Sequence, residues 1–361
     1  MSTGRFVHLH LHSVFSFLDS TCRLDRLVER VGELGMGAVG VTDHDGLYGA
    51  VRFYRAAREA GVRPILGVEL TVEGIFGSGT TEATEGGASA TSCRSNGYHL
   101  PLLAMTRRGY GNLCRMVTAG RFGGLREAAG AQVGNLRYQN LDLRKEPRCP
   151  LSVVERCAEG VVALSGCRNG EVAAAVRRGD MAAARRAVRR FQGIFGNERF
   201  FIELCQEQPG DAERSYTARL AALAAEMGAP VVATGNVHYL TPEEAGVQDV
   251  LACMQTLTRR DEWHAIRRRG AERYLKSPRE MMEAFASYPE AIENTVRIAE
   301  MCEVDLGLGE MHFPHFRMRG YGGEASAALH PGSGQARYRS NKVDGRPGWW
   351  PREAEEVEGE R

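Results

Sequence analysis

The sequence predicts an α/β barrel. Strand and helix signals alternate along most of the chain, the strands are strongly apolar, and seven or so of them can be distinguished. Such alternation implies a parallel sheet covered by helices, and that number of strands favours a closed barrel over an open sheet.

The first strand is FVHLHLHS (6–13), which alternates and places His8, His10 and His12 on one face. Leu24, Leu27, Val28, Val31 and Leu34 then recur at helical spacing, and Gly35 and Gly37 end that helix. AVGVTD (38–43) is a strand, GLYGAVRFYRAAREAG (46–61) a helix and RPILGVELTV (63–72) a strand. Residues 74–97 are rich in Gly, Ser and Thr and predict a long surface loop. YHLPLLAM (98–105) resumes the strands and YGNLCRMVTAG (110–120) the helices, while 123–149 carry no clear signal. The strand GVVALSGC (160–167) precedes two Ala/Arg-rich helices. The strand RFFIELC (199–205), the helix DAERSYTARLAALAAEMG (211–228) and the strand APVVATGNVHYL (229–240) follow. Helices dominate from Thr241 to about Val304. From about Arg319 aliphatic residues become scarce and Gly and Pro abundant, so a folded domain over 1–318 with a disordered tail over 319–361 is expected.

Composition narrows the class. The chain has 361 residues, 43% of them hydrophobic and 25% charged, with a formal net charge of +1. Bulk electrostatics therefore draw it to neither nucleic acid nor membrane, and any DNA binding has to be local. No apolar run approaches the roughly 18 residues of a membrane span, and no signal peptide is evident. Nine cysteines lack any CxxC pair, which suits reduced thiols and a cytoplasmic protein.

In a parallel barrel, chemistry sits at the C-terminal strand ends. His10 and His12 close the first strand, His44 follows VGVTD, Glu69 lies near the end of PILGVEL and Cys167 ends VVALSG. Asn236 and His238 alternate at the end of VVATGNVHYL, so they are expected to share a face. Asp19 lies in the loop after His12. His99 is the exception, because it opens its strand. Each of these has a plain structural alternative: His99 as a hydrogen-bonded strand residue, Cys167 as a small buried hydrophobe, Glu69 as an ion-pair partner. Together, imidazole, carboxylate and thiolate are the donor set of zinc and neighbouring transition metals. There are too many for one tetrahedral site, which points to more than one metal. His8, deeper in the strand, reads as a core or supporting histidine.

With HLHLHS and Asp19, the segments TDHDGLYGAVRFYRAAREAGVRPILGVEL, YHLPLLAMTRRGYGNLCRMV, VVALSGC, VVATGNVHYL, YLKSPREM and FPHF resemble the polymerase-and-histidinol-phosphatase (PHP) domain. The version at the start of bacterial DNA polymerase III α subunits is most similar, and TDHDGLYGAVRF and PILGVEL lean to the error-prone branch. The resemblance covers about residues 5–316. It implies a distorted (β/α)7 TIM-like barrel holding up to three divalent metal ions, of zinc, manganese or iron. By the same resemblance His10 and His12 hold one metal, Glu69 bridges to a second completed by His99 and Cys167, and Asp19, His44 and His238 hold a third. The ninth ligand position, usually Asp, is Asn236 here, a neutral and poorer ligand. If Asn236 is the weak point of the site, restoring Asp is expected to raise activity.

The activity so implied is metal-dependent phosphoesterase chemistry, with Glu69, His44 and His238 at its centre. Closely spaced divalent cations acidify a water and clamp a phosphate, so in-line hydrolysis needs no protein nucleophile. In complete family members this serves as a 3′→5′ exonuclease in DNA replication or repair synthesis. Its partners would be a DNA 3′ end and the other polymerase III holoenzyme subunits, with no membrane. Arg177, Arg178, Arg185, Arg186, Arg189 and Arg190, and separately Arg267, Arg268 and Arg269, offer backbone contacts for DNA or simply a solvated helix face. Lys276 lies in the YLKSP motif. Alternatives are a non-catalytic module braced by its metals and a stand-alone phosphatase of histidinol-phosphatase type. The polymerase palm is absent from this chain, and the tail after FPHF resembles nothing in the family, as an ended or frameshifted reading frame would produce.

Overall fold

The computed structural model describes residues 6–74, 97–122, 147–208, 210–262 and 270–310. The expected loop over 74–97 apart from its two end residues, most of 123–149, Arg267 to Arg269 and the tail over 319–361 lie outside them. Met1–Leu308 forms one compact unit.

In chain order the elements are α1 (Leu24–Glu33), β1 (Ala38–Val41), α2 (Ala50–Glu59), β2 (Arg63–Glu73), β3 (Gly97–Ala104), α3 (Arg107–Arg121), α4 (Leu151–Arg156), β4 (Val161–Leu164), α5 (Glu171–Arg178), α6 (Met181–Phe195), β5 (Phe200–Cys205), α7 (Asp211–Met227), β6 (Val231–Thr234), α8 (Ala245–Thr256), α9 (Pro278–Ala284) and α10 (Pro289–Met301). The strands form one sheet in the order β1-β2-β3-β4-β5-β6.

The N-terminal histidine segment closes this sheet into a ring. It is extended but makes no regular ladder, unlike the strand expected of it. On one side Gly40 N donates to His8 O and Thr42 N to Leu11 O, at 2.7 and 2.8 Å. On the other, Val237 N donates to His10 O and His12 N to Val237 O, at 3.2 and 2.9 Å. One segment thus joins the β1 edge to the chain leaving β6, and the distorted TIM-like barrel expected from the sequence is the fold observed.

The sheet is not wholly parallel. β1–β2, β4–β5 and β5–β6 are parallel, whereas β3 runs antiparallel to both β2 and β4. A parallel neighbour needs a crossover helix, and alternation alone could not reveal that β2 and β3 pair without one. The reversal explains His99. In an inverted strand the first residues lie beside the end of β2, and His99 is paired with Thr71. The histidine that opens its strand therefore sits at the same rim as those that close theirs.

Period-2 alternation splits the apolar residues into two cores. Ile65, Leu103, Val162, Leu164, Phe201 and Val232 cluster with Val7 and Leu9, and Ile298 and Ala299 of α10, with Cys302 just past its end, pack on that interior cluster. Their strand neighbours, such as Leu66, Leu102, Ala163 and Ile202, pack outward with the helices.

The last expected strand is shorter than its apolar run suggests. β6 ends at Thr234, because Asn236 takes φ 42° and turns the chain. Asn tolerates this left-handed region better than most residues. The turn falls between β6 and His238, and His238 Nδ1 donates to Asn236 O at 2.7 Å across it.

Candidate metal centre

Glu69 is the hub of the rim. Its backbone accepts from Asp45 N and donates to Asp43 O, at 2.9 and 3.1 Å, which fixes the β1 exit turn beside β2. Its Oε1 lies 3.2 Å from His10 Nε2 and 3.6 Å from Cys167 Sγ. Its Oε2 lies 3.0 Å from His44 Nδ1, 3.2 Å from His99 Nδ1 and 3.4 Å from His12 Nε2. Although those contacts are close, Oε2 and His99 Nδ1 are buried polar atoms with no hydrogen bond. Beyond them, His44 Nε2 and His238 Nε2 each lie 3.0 Å from Asp19 Oδ2. The ring of His12 is 4.3 Å from that of His44 and 4.5 Å from that of His238.

Acceptors on the outer side orient these rings. His10 Nδ1 donates to Glu203 Oε1 at 2.6 Å, and His238 Nδ1 donates to Asn236 O at 2.7 Å. Ser16 Oγ donates to Asp43 Oδ1 at 2.7 Å, so it accepts from His12 Nδ1 at 3.2 Å. In each case Nδ1 carries the proton and Nε2 faces the cluster, the tautomer a metal-ligating histidine adopts. His12 Nε2 and His10 Nε2 are consequently 3.2 Å apart. Two lone pairs at that distance need positive charge between or beside them.

Without a cation, protons supply that charge. Burial pushes the His10 pKa down, but the Glu203 and Glu69 carboxylates more than reverse this and raise it to about 10. His44 likewise rises against burial to about 10, beside Glu69 and Asp19. Burial and the neighbouring His44 and His238 hold His12 well below its usual value. Burial and Glu69 together push the Cys167 thiol well up.

Three groups bring their donor atoms within 4.8 Å of one another: His10, His12 and Glu69; His44, Glu69 and His99; and His12, His44 and His238. Cys167 and Asp19 stand at the edges of this set. Gly166 lets the Cys167 loop approach β3, for at φ 88° a Cβ would meet His99 O at 2.4 Å. The donor set, the orphaned Glu69 oxygen and the inward Nε2 atoms fit divalent cations.

Asn236 bonds a carboxylate beyond this set. Its Nδ2 donates to Glu207 Oε1 at 2.7 Å, and its Oδ1 is buried without a hydrogen bond. Glu207 Oε2 is bonded by Arg273 and lies 3.8 Å from Arg168 Nε, and Arg168 also bonds Glu213. His8 is likewise outside the cluster. Its Nε2 donates to Lys276 O at 2.9 Å and burial lowers its pKa to about 4, consistent with a supporting role. The Lys276 ammonium donates to Glu272 O and lies 4.3 Å over Tyr274. Arg185 is taken up by Glu226 at 2.7 and 3.0 Å, and Arg186 and Arg189 lie exposed on the same helix α6.

Sequence reading missed the supporting shell of Glu203, Asp43, Ser16, Glu207 and Arg273. Glu203 carried a signal, being an acid inside the otherwise apolar run FFIELC. Arg273 and Glu207 carried none.

A barrel whose strand ends converge histidines on one buried carboxylate is an α/β protein with a donor set compatible with divalent metal. The chain belongs to the PHP domain family, whose model matches residues 8–207. Among the curated relatives, an error-prone DNA polymerase of Symbiobacterium thermophilum is 42% identical over 86% of this chain and 26% of its own length. A DNA polymerase III subunit alpha of Treponema pallidum is 33% identical over 85% of this chain and 24% of its own. The chain thus spans about a quarter of these relatives. A putative metal-dependent phosphoesterase from Bifidobacterium adolescentis is 16% identical over 65% of this chain and 88% of its own, with a TM-score of 0.38. No helix among the described residues is long and apolar enough to cross a membrane. Of the nine cysteines, the eight that are described form no disulfide.

Proposed function

We propose that this chain hydrolyses phosphodiester bonds at the 3′ ends of single-stranded or frayed DNA, as the metal-dependent phosphoesterase domain of a polymerase III-type α subunit. One observation carries the reading. Glu69 Oε2 lies within 3.4 Å of nitrogens from His12, His44 and His99, yet none of them hydrogen-bonds it. A buried carboxylate oxygen ringed by imidazoles and left without a hydrogen bond supports a cation site.

His10, His12 and Glu69 would hold one divalent cation, and Glu69, His99 and Cys167 a second. Asp19, His44 and His238 would hold a third, with Asn236 Oδ1 as an additional neutral donor. Such ions lower the pKa of water and neutralise charge on a phosphoryl group. The chain's own contribution is orientation: Glu203, Ser16 and the Asn236 carbonyl keep Nε2 of His10, His12 and His238 turned inward. The DNA polymerase names of the relatives support a DNA 3′ end as substrate and the other holoenzyme subunits as partners. The test is metal analysis of the purified protein coupled to cleavage of a 3′-labelled oligonucleotide. Metal-loaded protein should shorten the strand and His12→Ala should not; identical behaviour of the two would remove the enzymatic reading.

A second reading is favoured by Asn236, whose amide is turned to Glu207. On it the metals brace the barrel and do no chemistry. A melting shift on chelation, with intact oligonucleotide at every metal tried, would select it.

A further inference from the structure

Beside the cluster, the loop entering Asp19 and the turn leaving His44 hold aromatic rings out in solvent. Phe17 is 69% exposed and Tyr48 51%, with ring centroids 6.2 Å apart. The local backbone fixes both. Leu18, between Phe17 and Asp19, takes φ 58°, a strained value for a branched residue. Tyr48 lies across Gly46, where a Cβ would stand 2.2 Å from its ring. Phe15 packs against the core and lies 6.4 Å from Phe17. Guanidiniums flank the rings: Arg52 sits 5.8 Å over Phe15 and Arg121 5.6 Å over Tyr48. Arg121 Nε also donates to Asp45 O at 3.2 Å, which ties it to the turn after His44.

Of the clustered imidazoles, His44 and His99 are the ones with exposed side chains, at 27% and 23%. The cluster thus reaches solvent at His44 and His99, and Tyr48 follows His44 by four residues. A lone exposed ring is ordinary on a protein surface. Two neighbouring rings with cations beside them, on the rim of an anion-handling site, are what a single strand of nucleic acid requires: faces for bases and charge for phosphates. The net charge of +1 excludes a global field as the source of affinity, so a local platform has to provide it.

We propose that Phe17 and Tyr48 form a stacking platform for the terminal bases of a single-stranded nucleic acid, with Arg52 and Arg121 meeting its backbone. This rests on the phosphodiester reading above and names how that substrate is held. Stacking is tolerant of base identity, so the platform selects unpaired bases and not sequence.

The test is binding of a 5′-fluorescein-labelled oligothymidylate to the full chain in excess chelator, read by anisotropy. Stacking is worth about 1–3 kcal/mol per base, so Phe17→Ala should weaken binding about 5- to 150-fold. Phe17→Tyr should keep the affinity, Tyr48→Ala should lose part of it, and an abasic strand of equal length should bind the native chain at least as weakly as the oligothymidylate binds Phe17→Ala. Unchanged affinity in both alanine variants, or an abasic strand that binds as tightly as the normal one, overturns the platform. Hydrolysis by the native chain is scored separately. Cleavage with no response to Phe17→Ala sinks the platform alone, and base-dependent binding without cleavage at any metal sinks the phosphodiester reading alone.

Discussion

Asn236 donates its side-chain amide to Glu207 Oε1 at 2.7 Å. A carboxylate only accepts, so the amide nitrogen has to face Glu207, and Oδ1 is turned away and left without a hydrogen bond. Replacing Asn236 by Asp alone would set a second carboxylate against Glu207 in a buried site. Contrary to the expectation from sequence, Asn236→Asp should lower the melting temperature without raising metal content. The pair Asn236→Asp with Glu207→Gln moves the charge and does not add one, so it should recover stability relative to the single variant. Melting curves and metal stoichiometry check this, and a single variant that binds more metal than the native chain would contradict it.

Glu203 accepts from His10 Nδ1 at 2.6 Å and also from Thr234 Oγ1. Partners of this type raise ligand basicity and fix the ring, and their loss typically costs 10- to 100-fold in metal affinity. Glu203→Gln should show about that loss in a chelator-competition titration while the far-UV spectrum stays native.

Metal removal should destabilise the barrel itself. The centre draws on the N-terminal segment, β2, β3 and the chains after β1, β4 and β6, so bound cations stabilise only the assembled ring. A ligand at 100 times its Kd adds about 2.7 kcal/mol. Denaturant unfolding with and without chelator should differ by at least that amount, and coincident curves would exclude a resident metal.

Gly166 and Gly61 both have positive φ, 88° and 71°. A Cβ at Gly61 meets nothing within 4 Å, whereas one at Gly166 meets His99 O at 2.4 Å. Gly61→Ala should cost roughly 1 kcal/mol from backbone strain alone. Gly166→Ala should cost clearly more and displace Cys167, which parallel urea titrations of the two variants would show.

Much of this was legible beforehand, and the reasons differ by element. The apolar runs of β2, β4 and β5 and the periodic helices α1 and α7 fell where hydrophobic spacing put them, because burial decides both. The direction of β3 did not, since strand composition carries no sense of direction, and His99 looked misplaced for that reason alone. The short β6 escaped notice because one backbone angle at Asn236 overrides an apolar run. Candidate ligands stood out as polar residues spent on buried positions. Glu207 and Arg273 did not, because their pairing spans the distance from β5 to the chain before α9.

Ring closure also sets an order of events in time. His10 reaches Glu203 across 193 residues of chain, and Asp19 reaches His238 across 219. During synthesis the first histidines emerge long before the groups that orient and complete their site. The two hydrogen bonds to Val237 that seal the ring must wait for the end of β6. Until then the N-terminal segment is an unsealed edge carrying bare imidazoles, so the centre is among the last parts of the barrel to come into being.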